Sequence, residues 1–193
     1  MTFEALPASA AWRHHTARDG FETVFVRADW KGFHFDGHTS AVEDGVVWAV
    51  RYRIEVDEDW CTRAAYVRAR SAGGERDLRV ESDGAGHWRV NGEFAEELDG
   101  CFDVDLEASA CTNTFPIHRA DLGVGDRADA PAVYVRAVDV AVERLEQHYA
   151  RLEDVDNRRR YDYVASRFEY DDTLVYDQSG LALDYPGLAS RVL

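Results

Sequence analysis

Lysine is almost missing from this chain. Of 22 basic residues only Lys31 is a lysine, and 37 acids leave a formal net charge of −15. Nucleic-acid binding needs a concentrated basic face. The one basic run, Arg158-Arg159-Arg160, is followed at once by Tyr161-Asp162-Tyr163; it suits a strand entry or pairing with surface acids, so no nucleic-acid partner is expected. No stretch of about 18 apolar residues occurs, which excludes a membrane-spanning helix. The first residues, MTFEALPASAAWRHH, lack a basic head, a long apolar segment and a lipobox-type cysteine. A secretory signal or lipid anchor is therefore not expected, and a cytoplasmic location is. Cysteine is scarce as well: Cys61, Cys101 and Cys111 are odd in number and show no CxxC spacing. That argues against a disulfide framework or zinc site and for reduced, partly buried thiols. No GxSxG, GxGxxG or Walker pattern is present, so no cofactor, no metal and no nucleophile elbow is expected. An enzyme is the less favoured reading.

What is abundant is acid. A strongly acidic surface repels itself unless salt screens it, over about 3 Å at molar ionic strength. The composition resembles that of a cytosolic protein from an extreme halophile, which places the chain in a high-salt cytosol. A G+C-rich genome would also favour arginine over lysine, but it does not account for the acid excess. Acidic clusters on such a surface are weak pointers to catalysis.

The pattern along the chain is that of strands. Hydrophobic residues make up 46% of 193, enough for one domain over 1–193 with a sizeable core. Val46 to Val56 (VVWAVRYRIEV) places Trp48, Val50, Tyr52, Ile54 and Val56 on one face. Ala72-Gly73-Gly74 and Asn91-Gly92 read as hairpin turns. Turn signals about every ten residues, with no βαβ rhythm, indicate an antiparallel all-β sandwich, barrel or roll. Residues 138–152 are ambiguous. Val138, Val140 and Val142 alternate, whereas Val142, Leu145, Tyr149 and Leu152 recur at helical spacing.

The most informative stretch is Leu98 to Arg119, LDGCFDVDLEASACTNTFPIHR. Asp99-Gly100 is a turn dipeptide. Phe102, Val104 and Leu106 then alternate with Asp103, Asp105 and Glu107, so a strand would bury the first set and present three carboxylates on the other face. Thr112, Asn113 and Thr114 offer short side chains that bond local backbone, and Pro116 bars the chain from a central strand ladder. This run resembles the signature of the putative glycolipid-binding family, whose usual pattern is close to LxGCxDVDLxxxPFTNTLPIRRL. Gly100, Cys101, Asp103, Val104, Asp105, Leu106, Thr112, Asn113, Thr114, Pro116, Ile117 and Arg119 match it. Ala110-Cys111 replaces Pro-Phe, His118 replaces Arg and Ala120 replaces Leu. Trp60-Cys61-Thr62-Arg63, Gly86-His87-Trp88 and Asp177 to Gly187 resemble other segments of the family, so the likeness runs from about Trp12 to Val192.

The resemblance implies a single-domain antiparallel spiral β-roll or half-barrel with a concave apolar face and little helix, similar to bacterial carriers of lipoproteins and glycolipids. It also implies strand for 138–152. The expected function is non-covalent binding of a lipid or glycolipid-like amphiphile in an apolar groove. Candidate ligand contacts are Arg63, Trp60, Trp88, Asn113, Arg119 and Tyr185, because aromatics stack on sugars and pack on acyl chains while a guanidinium meets a polar head. Each has a plainer reading: core packing for the aromatics, and for the arginines, which sit in apolar strand patterns, a structural network with Asp103 or Asp105. Asp99, Asp103, Asp105, Thr112 and Thr114 are candidates for that network. Asp103 and Asp105 also admit a rival function, a hard-cation or acid/base site of a hydrolase, and a third reading is a protein-interaction module docking by a sheet edge. His14-His15, near the terminus, reads as solvated.

Overall fold

The computed structural model describes residues 3–16 and 18–192. A meander opens the chain: β1 (Ser9–His14), β2 (Asp19–Asp29), β3 (Gly32–Glu43), β4 (Val46–Asp57), β5 (Thr62–Ser71), β6 (Gly74–Ser82), β7 (Trp88–Val90) and β8 (Glu93–Phe94). The short β9 (Asp103–Leu106) and one helix, α1 (Thr114–Ala120), follow, then β10 (Arg127–Asp129), β11 (Ala132–Val135) and β12 (Val142–Leu145). The chain closes with β13 (His148–Arg151), β14 (Arg159–Ala165), β15 (Tyr170–Tyr176), β16 (Ala182–Tyr185) and β17 (Ala189–Arg191). Fourteen strands form one antiparallel sheet in the order β10-β13-β14-β15-β16-β17-β1-β2-β3-β4-β5-β6-β7-β8. Its ends do not pair with each other, so the roll stays open. The remaining three, β12-β11-β9, form a small second sheet in which β9 runs parallel to β11.

The alternation of β4 holds: Trp48, Val50, Tyr52, Ile54 and Val56 are buried. Asn91 (φ 51°) and Gly92 (φ 91°) form the tight turn between β7 and β8, whose two positive φ values match the twist of the flanking strands. Residues 142–145 and 148–151 are strands, as the family resemblance implied, but 138–141, expected as strand with them, form a turn in which Val140 is left-handed (φ 52°).

Gly37 on β3 is required by its neighbour. A Cβ there would lie 1.9 Å from the ring of Tyr52, its partner on β4. Tyr52 is buried and its hydroxyl donates to Glu22 at 2.6 Å, so the ring has nowhere to retreat. Gly37→Ala is expected to destabilise by about 1–3 kcal/mol, the usual range for overpacking, read as a lower midpoint in urea.

The segment after β8 corrects the expectation for the carboxylate strand. Instead of exposing one face, β9 is buried along its whole length. It lies against the inner face of the large sheet: the Thr62 backbone N–H donates to the Phe102 carbonyl, Thr39 Oγ1 to the Ala108 carbonyl and Trp88 Nε1 to the Cys101 carbonyl. Phe115 of α1 meets Phe35 edge-on at 4.9 Å. The concave face is apolar as expected, but much of it is covered by the chain's own signature segment. Thr112-Asn113-Thr114 forms the entry to α1 without side-chain capping, and Pro116 sits in the first turn of that helix, where no backbone N–H is needed.

Candidate functional site

Two residues apart on β9, Asp103 and Asp105 meet opposite fates. Asp103 is 1% exposed and takes a fork from Arg119, with Nε 3.1 Å from Oδ1 and Nη2 2.6 Å from Oδ2. This is the structural Arg–Asp network anticipated for Arg119, not a solvent-facing cluster. Asp105 is 7% exposed, and its hydrogen bond comes from Thr112 Oγ1 at 2.8 Å. Burial pushes both carboxyls up. At Asp103 the Arg119 guanidinium opposes it; at Asp105 only the Thr112 hydroxyl does, while Asp103 and Glu107 add to the rise, and the group reaches about 6.

Asp105 faces a cleft of about 320 Å³ between the small sheet and the strands β14 to β16. Leu106, Leu145, Ala165, Phe168 and Leu188 line it, with Tyr134, Tyr163, Tyr170 and Tyr185. Tyr163, Tyr170 and Tyr185 pack on one another with ring centroids 5.4 to 6.0 Å apart and planes steeply inclined. Edge-to-face packing of this kind makes a rigid wall. The polar part of the lining is Asp105, Arg18, Glu107 and Ser109. Arg18 is itself buried: Nη1 donates to the Glu107 carbonyl at 2.9 Å, Nε lies 3.8 Å from Glu43, and the guanidinium rests over Trp48.

A second cleft, about 530 Å³, lies on the side of Trp60. Trp60 holds a left-handed backbone (φ 64°) and stacks between Phe33 (4.5 Å) and His118 (3.7 Å), and Phe3 covers the other face of His118 at 3.8 Å. Burial lowers the His118 pKa to about 3, against the pull of the Ser179 carbonyl 2.9 Å from Nε2. His118 is therefore a neutral ring in a four-ring stack, not a titrating base.

The other candidates lie apart. Trp88 is core, its indole N–H bonded to Cys101. Asn113 and Thr114 are buried at the start of α1 and line neither cleft. Asp99 is exposed, and its carbonyl accepts from Arg144 Nη1 at 2.5 Å. Arg63, expected in a buried network, is exposed and pairs with Asp57 at 3.5 Å. The cause is a register shift: Glu55 pairs with Ala64 but Val56 with Thr62, so Arg63 is the extra residue of a bulge and turns outward. Thr62 takes the inward position and its hydroxyl accepts the Val104 N–H at 3.1 Å.

A buried polar cluster went unforeseen. Glu22, fully buried, accepts from Tyr52 Oη (2.6 Å), Ser109 Oγ (2.5 Å) and the Ala110 N–H (2.8 Å). His14 is buried 3.8 Å away, which corrects its reading as a solvated residue. The signal was available, since Glu22 shares parity with the inward Val24. The cluster stitches β2 and β4 to the signature segment, and its Ser109 reaches the lining of the Tyr185 cleft. Among the described residues no group of three His, Cys, Asp or Glu converges as metal ligands, and no helix is long and apolar enough to cross a membrane.

The family described as "Putative glycolipid-binding" matches residues 9–191. Among solved structures, the chain is similar to a DUF1089 family protein from Pseudomonas aeruginosa, 31% identical, with TM-score 0.78 over 100% of this chain and 98% of that one. It shares its fold with a β-barrel-like protein of domain of unknown function DUF1849 from Brucella abortus, 10% identical, TM-score 0.52, over 98% and 96% of the two chains. No curated protein sequence matches.

Proposed function

The chain belongs to the Putative glycolipid-binding family, and on that premise we propose that its 193 residues act as one domain that binds a lipid-like amphiphile non-covalently in the Tyr185 cleft. The observation that carries this reading is the cleft's mixed lining: walls of Leu106, Leu145, Phe168, Leu188 and tyrosines, with Asp105, Arg18, Glu107 and Ser109 as its polar part. An amphiphile has the same two parts. The volume, about 320 Å³, sits at the lower end of the roughly 300–1,000 Å³ typical of small-molecule sites. Burying an apolar chain contributes about 0.8 kcal/mol per methylene, about fourfold in affinity. Tyr185 is the candidate contact in this cleft, and Trp60 in the second one. Arg119 supports the site from behind by neutralising Asp103. With Asp103 so held, Asp103 and Asp105 do not form a free carboxylate pair for acid/base work. Docking by a sheet edge is less well supported, because the end strands β8 and β10 are only two and three residues long. The acid excess supports a high-salt cytosol as the setting.

Native mass spectrometry of protein purified in high salt, followed by organic extraction, tests the reading. A retained lipid is expected, with loss of retention in Leu188→Trp, which adds bulk to the cleft lining at a partly buried position. A series of same-head amphiphiles should gain about fourfold in affinity per added methylene until the cleft is full. Empty protein that binds no member of the series overturns the proposal.

A further inference from the structure

We propose that the head group taken by this cleft is a cation, a primary ammonium on an apolar chain, and that Asp105 is the residue that receives it. The inference rests on the amphiphile reading above and adds the chemistry of the head. Asp105 lines the cleft at 7% exposure, and Thr112 holds Oδ1. Among the described residues no hydrogen bond reaches Oδ2 and no arginine, lysine or histidine forms an ion pair with this carboxylate. A buried charge without a partner is among the least stable arrangements a protein holds, and chains normally supply a cation. This one does so at Asp103, with Arg119, and not two residues later.

The groups facing Asp105 sharpen the choice. Along its own strand Asp103 and Glu107 are like charges that oppose its ionisation. From the facing strands, Tyr134, Tyr149, Tyr163, Tyr176 and Tyr185 are close enough for its charge to raise their own pKa values, which burial already lifts. These hydroxyls stay protonated and neutral, so none cancels the charge. Arg18, the cation in the lining, is engaged by the Glu107 carbonyl, Glu43 and the Trp48 ring. A hydroxyl on a ligand would satisfy Oδ2 as a hydrogen bond but leave the charge uncompensated. An ammonium satisfies both, and the negative faces of the surrounding tyrosine rings favour the same sign.

The test compares dodecylammonium, dodecanol, dodecanoate and dodecyl glucoside, each below its micellar concentration, by calorimetry at pH 7.5. Sodium chloride near 1 M suppresses general attraction of cations to this acidic surface, where screening acts over about 3 Å. Dodecylammonium is expected to bind about tenfold or more tighter than dodecanol. In the unsubstituted protein that preference should shrink as pH falls below about 6, where Asp105 takes up its proton. Asp105→Asn removes one acid of 37, leaving the surface field nearly intact, and should abolish the preference. Equal binding of the ammonium and the alcohol, tighter binding of the glucoside, or a preference that survives Asp105→Asn overturns the head-group assignment while leaving the amphiphile reading in place. Failure of all four chains to bind overturns that reading itself.

Discussion

Asp105→Asn is expected to stabilise the ligand-free protein above pH 6, by about 3 kcal/mol at pH 8, and to change little at pH 4. In the folded chain the Asp105 carboxyl titrates near 6, against an ordinary value of 3.8. Below the ordinary value the group is protonated whether the chain is folded or not, and it contributes nothing to the pH dependence. As pH rises from about 4 to 6 the unfolded chain loses its proton and the folded chain retains it, so folding becomes progressively less favourable. Above 6 both states are ionised and the full difference in pKa acts against the fold, at 1.36 kcal/mol per unit. Asparagine has the same shape and can still accept from the Thr112 hydroxyl, which stands 2.8 Å from Oδ1, but it carries no charge to desolvate. Urea titrations of both proteins at pH 4, 6 and 8 should diverge with rising pH. Parallel curves would show that Asp105 is not an unpaired buried charge. A cationic ligand should close the same gap in the unsubstituted protein, because it supplies the missing partner.

A residue retained at that expense is a mark of function, and little of it could be read from the sequence. The long strands could. Val46 to Val56 has one face in the core and one in water, so its alternation reports burial directly, and Asn91-Gly92 fixes its hairpin through local backbone preference. The same alternation in Asp103 to Leu106 misleads, because β9 leaves the large sheet, pairs in parallel with β11 and is covered on both sides. Period two there separates an apolar buried face from a polar buried face, not core from solvent. Arg63 is misread for a related reason, since a single bulge reverses the parity of every residue before it. Trp88 and Tyr185 look alike in sequence, and only the path of the signature segment decides that one packs against Cys101 while the other lines a cleft. The family resemblance carried the roll and the strand character of 142–151, but the depth at which each side chain of that signature lies is a property of tertiary packing.

Arg119→Met should have the opposite sign from Asp105→Asn and be the most damaging single change on this face of the roll. Asp103 is 1% exposed, and its charge is held by the Arg119 fork at 2.6 to 3.2 Å. Methionine fills much of the arginine stem's volume but leaves the carboxylate buried and alone, which costs about 3–5 kcal/mol. The loss should ease as pH falls, because a carboxyl without its guanidinium is pushed further up by burial and is then neutral in the folded chain. Adding Asp103→Asn to Arg119→Met removes the stranded charge, so the double variant should be more stable than Arg119→Met alone at pH 8 and similar to it at pH 4. Denaturant midpoints of the three variants at those two pH values measure the coupling directly. If Arg119→Met is mild and independent of pH, the fork is not what holds Asp103 ionised. The two aspartates then form one undivided acidic pair, and Asp105 loses its distinction as the aspartate of β9 that lacks a cation.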